Sequence, residues 1–183
     1  MGKLELDNVN KVYRVGTFGS DTLHAVKDVS FTAEPGQIIS LIGESGSGKS
    51  TIGKMILRLT GITAGQIRYD GADVAALKGH ELKPYRHKVQ GVFQDPFSSY
   101  NPIFKADRVF SMVKDSFYGG MAQSEWAGRV EQALTSVALD PDACLNKYPH
   151  QLSGGQLQRM LVARALLMEV EFLVADEIIS MLD

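Results

Sequence analysis

The nine residues "GESGSGKST", Gly43 to Thr51, are the side chains best spaced for chemistry in this sequence. They fit the pattern of Gly, four residues, Gly, Lys and Ser or Thr without a mismatch. Backbone N–H groups can converge on phosphate oxygens only where no Cβ intrudes, and Gly43, Gly46 and Gly48 supply that clearance, with Ser45 in the same wrap of chain. A helix starting at the end of the loop adds partial positive charge. Lys49 is then placed to reach the β- and γ-phosphates of a nucleotide, Ser50 to offer its hydroxyl to Mg²⁺, and Thr51 to hold the α-phosphate side. A second group closes the chain. "EFLVADE" is an apolar run ending in two carboxylates, Asp176 and Glu177. Desolvating an unpaired carboxylate is costly, so acids at the end of a buried strand call for a cation. Magnesium on a nucleotide supplies it: Asp176 meets the ion through its water shell, and Glu177 polarises the attacking water.

These residues need elements to hold them. "GQIISLIG" is short and nearly continuously apolar, the pattern of a parallel strand covered on both faces, and it leads into the loop. "STIGKMILRLTG" follows with helical spacing and a glycine stop at Gly61. Upstream, the alternations in "KLELDNVNKVYRV" and "VKDVSFTAEPGQ" predict strands of an antiparallel sheet, separated by "GTFGSD". Asp70-Gly71 within "GQIRYDGADV" is a hairpin signal. After the strand "KVQGVFQ" come a Pro-rich loop, "DPFSSYNPIF", and a helical region running to about Leu139.

Composition describes an ordinary soluble domain: 183 residues, 44% apolar and 22% charged, enough for one sizeable core. Nineteen basic against 21 acidic residues give −2, so no global charge favours nucleic acid, and none is expected as a direct partner. The single cysteine, Cys144, reads as a small buried hydrophobe and fits a reducing compartment. No apolar run reaches the roughly 20 residues that cross a bilayer, and "MGKLELDNVNKVY" lacks the apolar stretch of a signal peptide. Leu6 stands where a myristoylation site needs Ser or Thr. His24, His80, His87 and His150 have no metal-ligand spacing and read as surface or loop residues.

The phosphate loop alone leaves kinases, small GTPases and helicases open. "LSGGQ", Leu152 to Gln156, narrows the choice. It has the makings of a second anion site, with Ser153 as an N-cap and two glycines at the start of a helix whose Leu157, Met160, Leu161, Ala165 and Met168 share one face. Phosphate loop, glutamine after a strand, this signature and then the magnesium strand occur in the order that resembles the ATP-binding cassette (ABC) family of ATPases, over essentially the whole chain.

That resemblance implies an α/β fold: a P-loop NTPase core with a parallel sheet, an N-terminal antiparallel β subdomain and an inserted α-helical subdomain. It implies a single ABC ATPase domain over 1–183, β-rich with the phosphate loop to about 94, helical over 95–155, and carrying the signature helix and magnesium strand over 156–183. Gln94 matches the glutamine that touches Mg²⁺ and the attacking water, so the metal set would be Ser50, Gln94 and Asp176, with Glu177 and Gln94 catalytic. Tyr13, 36 residues before Lys49, matches the aromatic that stacks on adenine. Ser153, Gly154, Gly155 and Gln156 would cover the γ-phosphate of ATP bound by a second ATPase subunit, identical or not, in a head-to-tail dimer. Asp183 matches the aspartate that couples the two sites.

"QDPFSSYNP" and "YPHQLSGGQ" further resemble ATPase subunits of dipeptide and oligopeptide importers. This implies ABC permease partners, a peripheral location on the cytoplasmic face of the membrane, and Asp95 to Ile103 as the contact with a membrane domain. Two departures stand out. Ile178 and Ile179 replace the family's Pro and Thr after the catalytic glutamate, altering how Asp183 is presented. The family's switch histidine and its later strands would lie beyond Asp183, so the expectation is a truncated domain, poorly soluble or reliant on a partner. The alternatives are an ABC ATPase acting on nucleic acid or ribosomes, and a nucleotide-binding fragment deficient in hydrolysis.

Overall fold

The computed structural model describes residues 2–15 and 21–176. They fall into two compact units, one up to Arg86 and one from His87.

In the first unit, β1 (Leu4–Val15) and β2 (Asp21–Ala33) form a long antiparallel ladder from Leu4 opposite Ala33 to Val15 opposite Asp21. Leu6 and Val9 are three residues apart, so strict alternation would send them to opposite faces. Both are buried, because the ladder shifts register between them and Asn8 takes φ 45°. An extra residue in one strand restores both side chains to the core. After α1 (Lys49–Ile56), β3 (Ala64–Tyr69) adds to β1 and β4 (Ala72–Asp73) to β3, giving the antiparallel order β2-β1-β3-β4. The expected hairpin is present. Asp70 and Gly71 both have positive φ, 51° and 79°, as a twist-matched two-residue turn requires, and Asp70 Oδ1 accepts from the Lys3 amide at 2.8 Å.

Helix α1 buries Ile52, Met55 and Ile56 but ends five residues before Gly61. Arg58, not a glycine, takes the left-handed position (φ 57°), and the amides of Leu59 and Arg58 bond back to Lys54 and Met55 carbonyls at 2.9 and 3.1 Å. This is the closure that normally selects glycine. The Arg58 guanidinium, donating to the Val74 and Leu77 carbonyls, offsets the backbone strain. Helix α2 (Leu82–Lys88) packs its buried Tyr85 edge-on to Tyr69 with ring centres 5.6 Å apart, and the Tyr85 hydroxyl donates to the Ile56 carbonyl. Burial pushes that hydroxyl far above the usual tyrosine range.

One expected strand is not formed. Residues 37–42 run as irregular chain, with Ile38 and Ile42 95% and 96% exposed. An apolar strand of this kind exists only where neighbours hydrogen-bond both its edges and cover both its faces. No described strand pairs with it.

In the second unit, β5 (Val89–Val92) lies parallel to β6 (Phe172–Ala175), Val89 opposite Phe172 and Val92 opposite Ala175. Between them in sequence come α3 (Arg108–Phe117), α4 (Gln123–Ser136), α5 (Pro141–Cys144) and α6 (Gly154–Leu167). Helices α3 and α4 pack on α6, which buries Leu157, Met160, Leu161 and Ala165, with Met168 just after it. The core also takes Phe110, Trp126, Leu134 and Cys144, each large apolar side chain contributing about 1.5–3 kcal/mol by leaving water. Among the histidines, His24, His80 and His150 are exposed, whereas His87 is half-buried. Its Nε2 lies 3.1 Å from the Tyr118 hydroxyl, and its ring centre is 4.7 Å from that of Phe117. Among the described residues no helix is long and apolar enough to cross a membrane, and no cluster of acids, histidines and cysteine could hold a metal.

Candidate nucleotide site

The phosphate loop is an exposed turn seated on β2. Gly46 and Gly48 have φ 83° and 94°, a conformation side chains disfavour, and Gly48 is the N-cap residue of α1. A Cβ on Gly48 would lie 2.3 Å from the Ala25 carbonyl oxygen of β2, so only glycine lets the helix start this close to the strand. Nothing lies within 4 Å of where a Gly46 Cβ would be. The Gly46 side of the loop is therefore open. The Ser47 amide bonds to the Glu44 carbonyl at 3.2 Å and Ile52 to Gly48 at 2.9 Å, which sets the first turn of α1.

Lys49 folds back over the loop, its Nζ donating to the carbonyls of Gly43 and Glu44 at 2.8 and 2.7 Å and lying 3.3 Å from Ser47 Oγ. An ammonium held beside a helix N-terminus makes this an anion site, and its bonds to neutral carbonyls leave its charge uncompensated. Ser45 and Ser50 are exposed and Thr51 is half-buried in the first turn of α1. Tyr13 lies in the same unit, on β1 opposite Leu23, half-buried with Lys11 Nζ 4.8 Å from its ring centre.

The second unit holds the remaining described residues. Gln94 lies two residues past β5 and Asp176 one past β6; the Asp176 amide bonds to the Val92 carbonyl at 3.0 Å. The parallel register therefore brings both to the carboxyl end of the strand pair, where open α/β sheets bind ligands. The signature forms a reciprocal cap. Ser153 Oγ accepts from the Gln156 amide at 3.2 Å while Gln156 Oε1 accepts from the Ser153 amide at 2.8 Å. Gly154 and Gly155 open α6 and carry no side chains of their own. Glu177, Asp183, Ile178 and Ile179 lie outside the described residues, as does most of "GTFGSD".

Sequence reasoning missed two polar side chains of α6 that turn inward, the buried Gln158 and the half-buried Arg164. Arg164 Nη2 donates to Gln90 Oε1 and the Gly91 carbonyl, both at 3.2 Å, and burial lowers its pKa from the ordinary arginine value. Their signal was present: Gln158 and Arg164 stand six apart inside the largely apolar "LQRMLVARALL", which Arg159 also interrupts. Tyr100, in the Pro-rich loop, is a third, its hydroxyl donating to the Leu157 carbonyl at 2.9 Å.

A phosphate loop followed by a capped glycine signature, on an antiparallel sheet and a parallel pair, defines the class of ABC ATPase domains. The profile of the ABC transporter family matches residues 26–180, and the chain belongs to that family. More particularly, it is 41% identical over 182 residues to the dipeptide transport ATP-binding protein DppF of Lactococcus lactis, covering 98% of this chain and 57% of that protein. It is 39% identical over 180 residues to the oligopeptide transport ATP-binding protein OppF of Streptococcus mutans, covering 98% and 58%. A solved ATP-binding cassette, a dimer in a post-hydrolysis state bound to ADP and Pi, matches with a TM-score of 0.87 at 32% identity, covering 98% of this chain and 76% of that one. The chain spans about half the length of the curated relatives it matches.

Proposed function

We propose that this chain is the ATP-binding and ATP-hydrolysing part of a subunit that powers import through a membrane permease, with peptides as the cargo. The observation that carries the reading is the pairing, in one chain, of a glycine phosphate loop holding Lys49 with the Ser153–Gln156 cap at the start of α6. The likeness to dipeptide and oligopeptide transport ATP-binding proteins supports the cargo class.

In this reading Gly43, Ser45, Gly46, Gly48 and Thr51 wrap the phosphates with backbone and hydroxyl donors, and Lys49 exchanges its loop carbonyls for phosphate oxygens. Tyr13 stacks on the adenine. Ser50, Gln94 and Asp176 are the donors for Mg²⁺; hydroxyl, amide and carboxylate oxygens suit a hard cation. The bound ion would neutralise charge on the phosphates. Glu177 takes the proton of the attacking water, which Gln94 orients. Ser153 to Gln156 present their donors to ATP on a second ATPase subunit, and Asp183 couples the two sites. Asp95 to Ile103 dock on the permease from the cytoplasmic face, with Phe97 and Ile103, 50% and 76% exposed, as the apolar contact.

The test is Glu177→Gln in the intact protein, which keeps the side chain's shape and removes its basicity. ATP binding survives, phosphate release falls by roughly 10²-fold or more, and ATP holds two subunits together in light scattering. A monomeric variant hydrolysing at the parent rate would remove both the base and the sandwich.

A further inference from the structure

Gln158 lies five residues after the N-cap Ser153 and is only 1% exposed. Its Nε2 donates to the carbonyl oxygen of Phe93 at 3.2 Å, while its Oε1 meets no donor among the described residues. One amide bond made and one buried acceptor left unmade is poor value for stability: an apolar side chain of the same length would serve the core at least as well. The placement has another consequence. The last pair of the parallel ladder is Val92 with Ala175, so Phe93 and Gln94 lie past the hydrogen bonds that hold β5 in place. The Phe93 carbonyl and the Gln94 amide belong to one rigid peptide plane. A donor on that oxygen sets the orientation of the plane, and with it the direction in which the Gln94 side chain leaves the backbone. Arg164 does the same one turn of strand earlier, through the Gly91 carbonyl and Gln90 Oε1. The three acceptors run in sequence along β5 and its exit.

We propose that Gln158 is a positioning residue for the hydrolytic reaction: it ties the first turns of the signature helix to the peptide that presents Gln94. The inference rests on the reading of Gln94 as a ligand of Mg²⁺ and of the attacking water. In this arrangement a displacement of Ser153–Gln156 reaches Gln94 through the first five residues of α6 and one hydrogen bond, with no need to pass through the loop at 95–103.

The experiment uses the intact protein with Gln158→Met, which keeps length and volume but removes the donor, and Gln158→Leu as a second apolar side chain. Gln94→Ala and the double variant Gln94→Ala/Gln158→Met complete a cycle. ATP hydrolysis is measured against Mg²⁺ concentration, beside ATP affinity and thermal unfolding. Gln158→Met is expected to unfold at the parent temperature and bind ATP normally. Its turnover falls about tenfold and its half-saturating Mg²⁺ rises, the scale on which residues behind a metal ligand act. The double variant is no worse than Gln94→Ala, since a misaimed side chain and a missing one lose the same interaction. Losses that multiply, or Gln158→Met and Gln158→Leu variants with parental turnover and Mg²⁺ dependence, overturn the positioning role and leave that of Gln94 intact. A Gln94→Ala variant with parental turnover and Mg²⁺ dependence overturns the reading of Gln94 itself, and this inference with it.

Discussion

Replacing Gly48 by alanine separates two physical costs that the phosphate loop otherwise hides. The residue sits at φ 94°, and a Cβ built there meets the Ala25 carbonyl oxygen at 2.3 Å and Val26 Cγ2 at 3.2 Å. The left-handed backbone alone costs an L-residue roughly 1–2 kcal/mol. Contact at 2.3 Å with a carbonyl of β2 cannot be relieved by a side-chain rotation, so α1 must move off the strand, the kind of overpacking that costs about 1–3 kcal/mol. Together the change is worth roughly 2–5 kcal/mol. Gly46→Ala is the control, because its φ is 83° but nothing lies within 4 Å of the new Cβ; only the backbone cost of roughly 1–2 kcal/mol applies. Gly43→Ala meets the Ser47 Oγ at 2.7 Å, a side-chain atom that can rotate away, and is the mildest of the three. Urea unfolding followed by circular dichroism ranks them, and calorimetric titration with ATP shows whether the loop still binds. Equal loss for Gly46→Ala and Gly48→Ala would refute the idea that approach to β2, rather than backbone conformation, demands glycine at position 48.

Tyr13→Ala weakens ATP binding by on the order of 1–3 kcal/mol if the ring carries the base, by analogy with aromatic stacking on nucleobases; unchanged affinity in calorimetry returns Tyr13 to a sheet residue. Ser153→Ala removes the acceptor for the Gln156 amide and destabilises α6 by about 1 kcal/mol, read as a lower urea midpoint, while Ser153→Asp keeps the cap and most of that stability. Cys144 is fully buried and its thiol pKa is raised, chiefly by desolvation. Only the thiolate reacts, so a thiol reagent near neutral pH modifies the unfolded chain quickly and the folded one slowly; comparable rates would contradict the packing of α5.

Local patterns were legible wherever one residue carries its own reason. Asp70-Gly71 announces a turn because few other pairs accept two positive φ angles, and Ser153 announces a helix start because its hydroxyl can accept from Gln156 three residues on. The buried face Leu157, Met160, Leu161, Ala165 and Met168 follows from helical spacing alone. What failed depended on partners distant in sequence. "GQIISLIG" has the composition of a buried strand, yet a ladder needs neighbours, and none of the described strands pairs with residues 37–42. The glycine stop at Gly61 lost to Arg58, whose side chain finds carbonyls sixteen and nineteen residues away.

For the site the division is similar. The sequence by itself determined that this is an ABC ATPase domain, because a loop that wraps phosphate needs its glycines and lysine within nine consecutive residues, and the signature needs five. Such motifs are local chemistry and survive being read in one dimension. Tertiary structure alone decided that Gly48 must be glycine for the sake of a carbonyl on β2, that Gln94 and Asp176 leave the same end of a parallel pair, and that Gln158 reaches back 65 residues to the peptide of Phe93. Each of these is a distance between segments far apart in the chain. No spacing in the sequence encodes it, since it is set by how strands and helices pack.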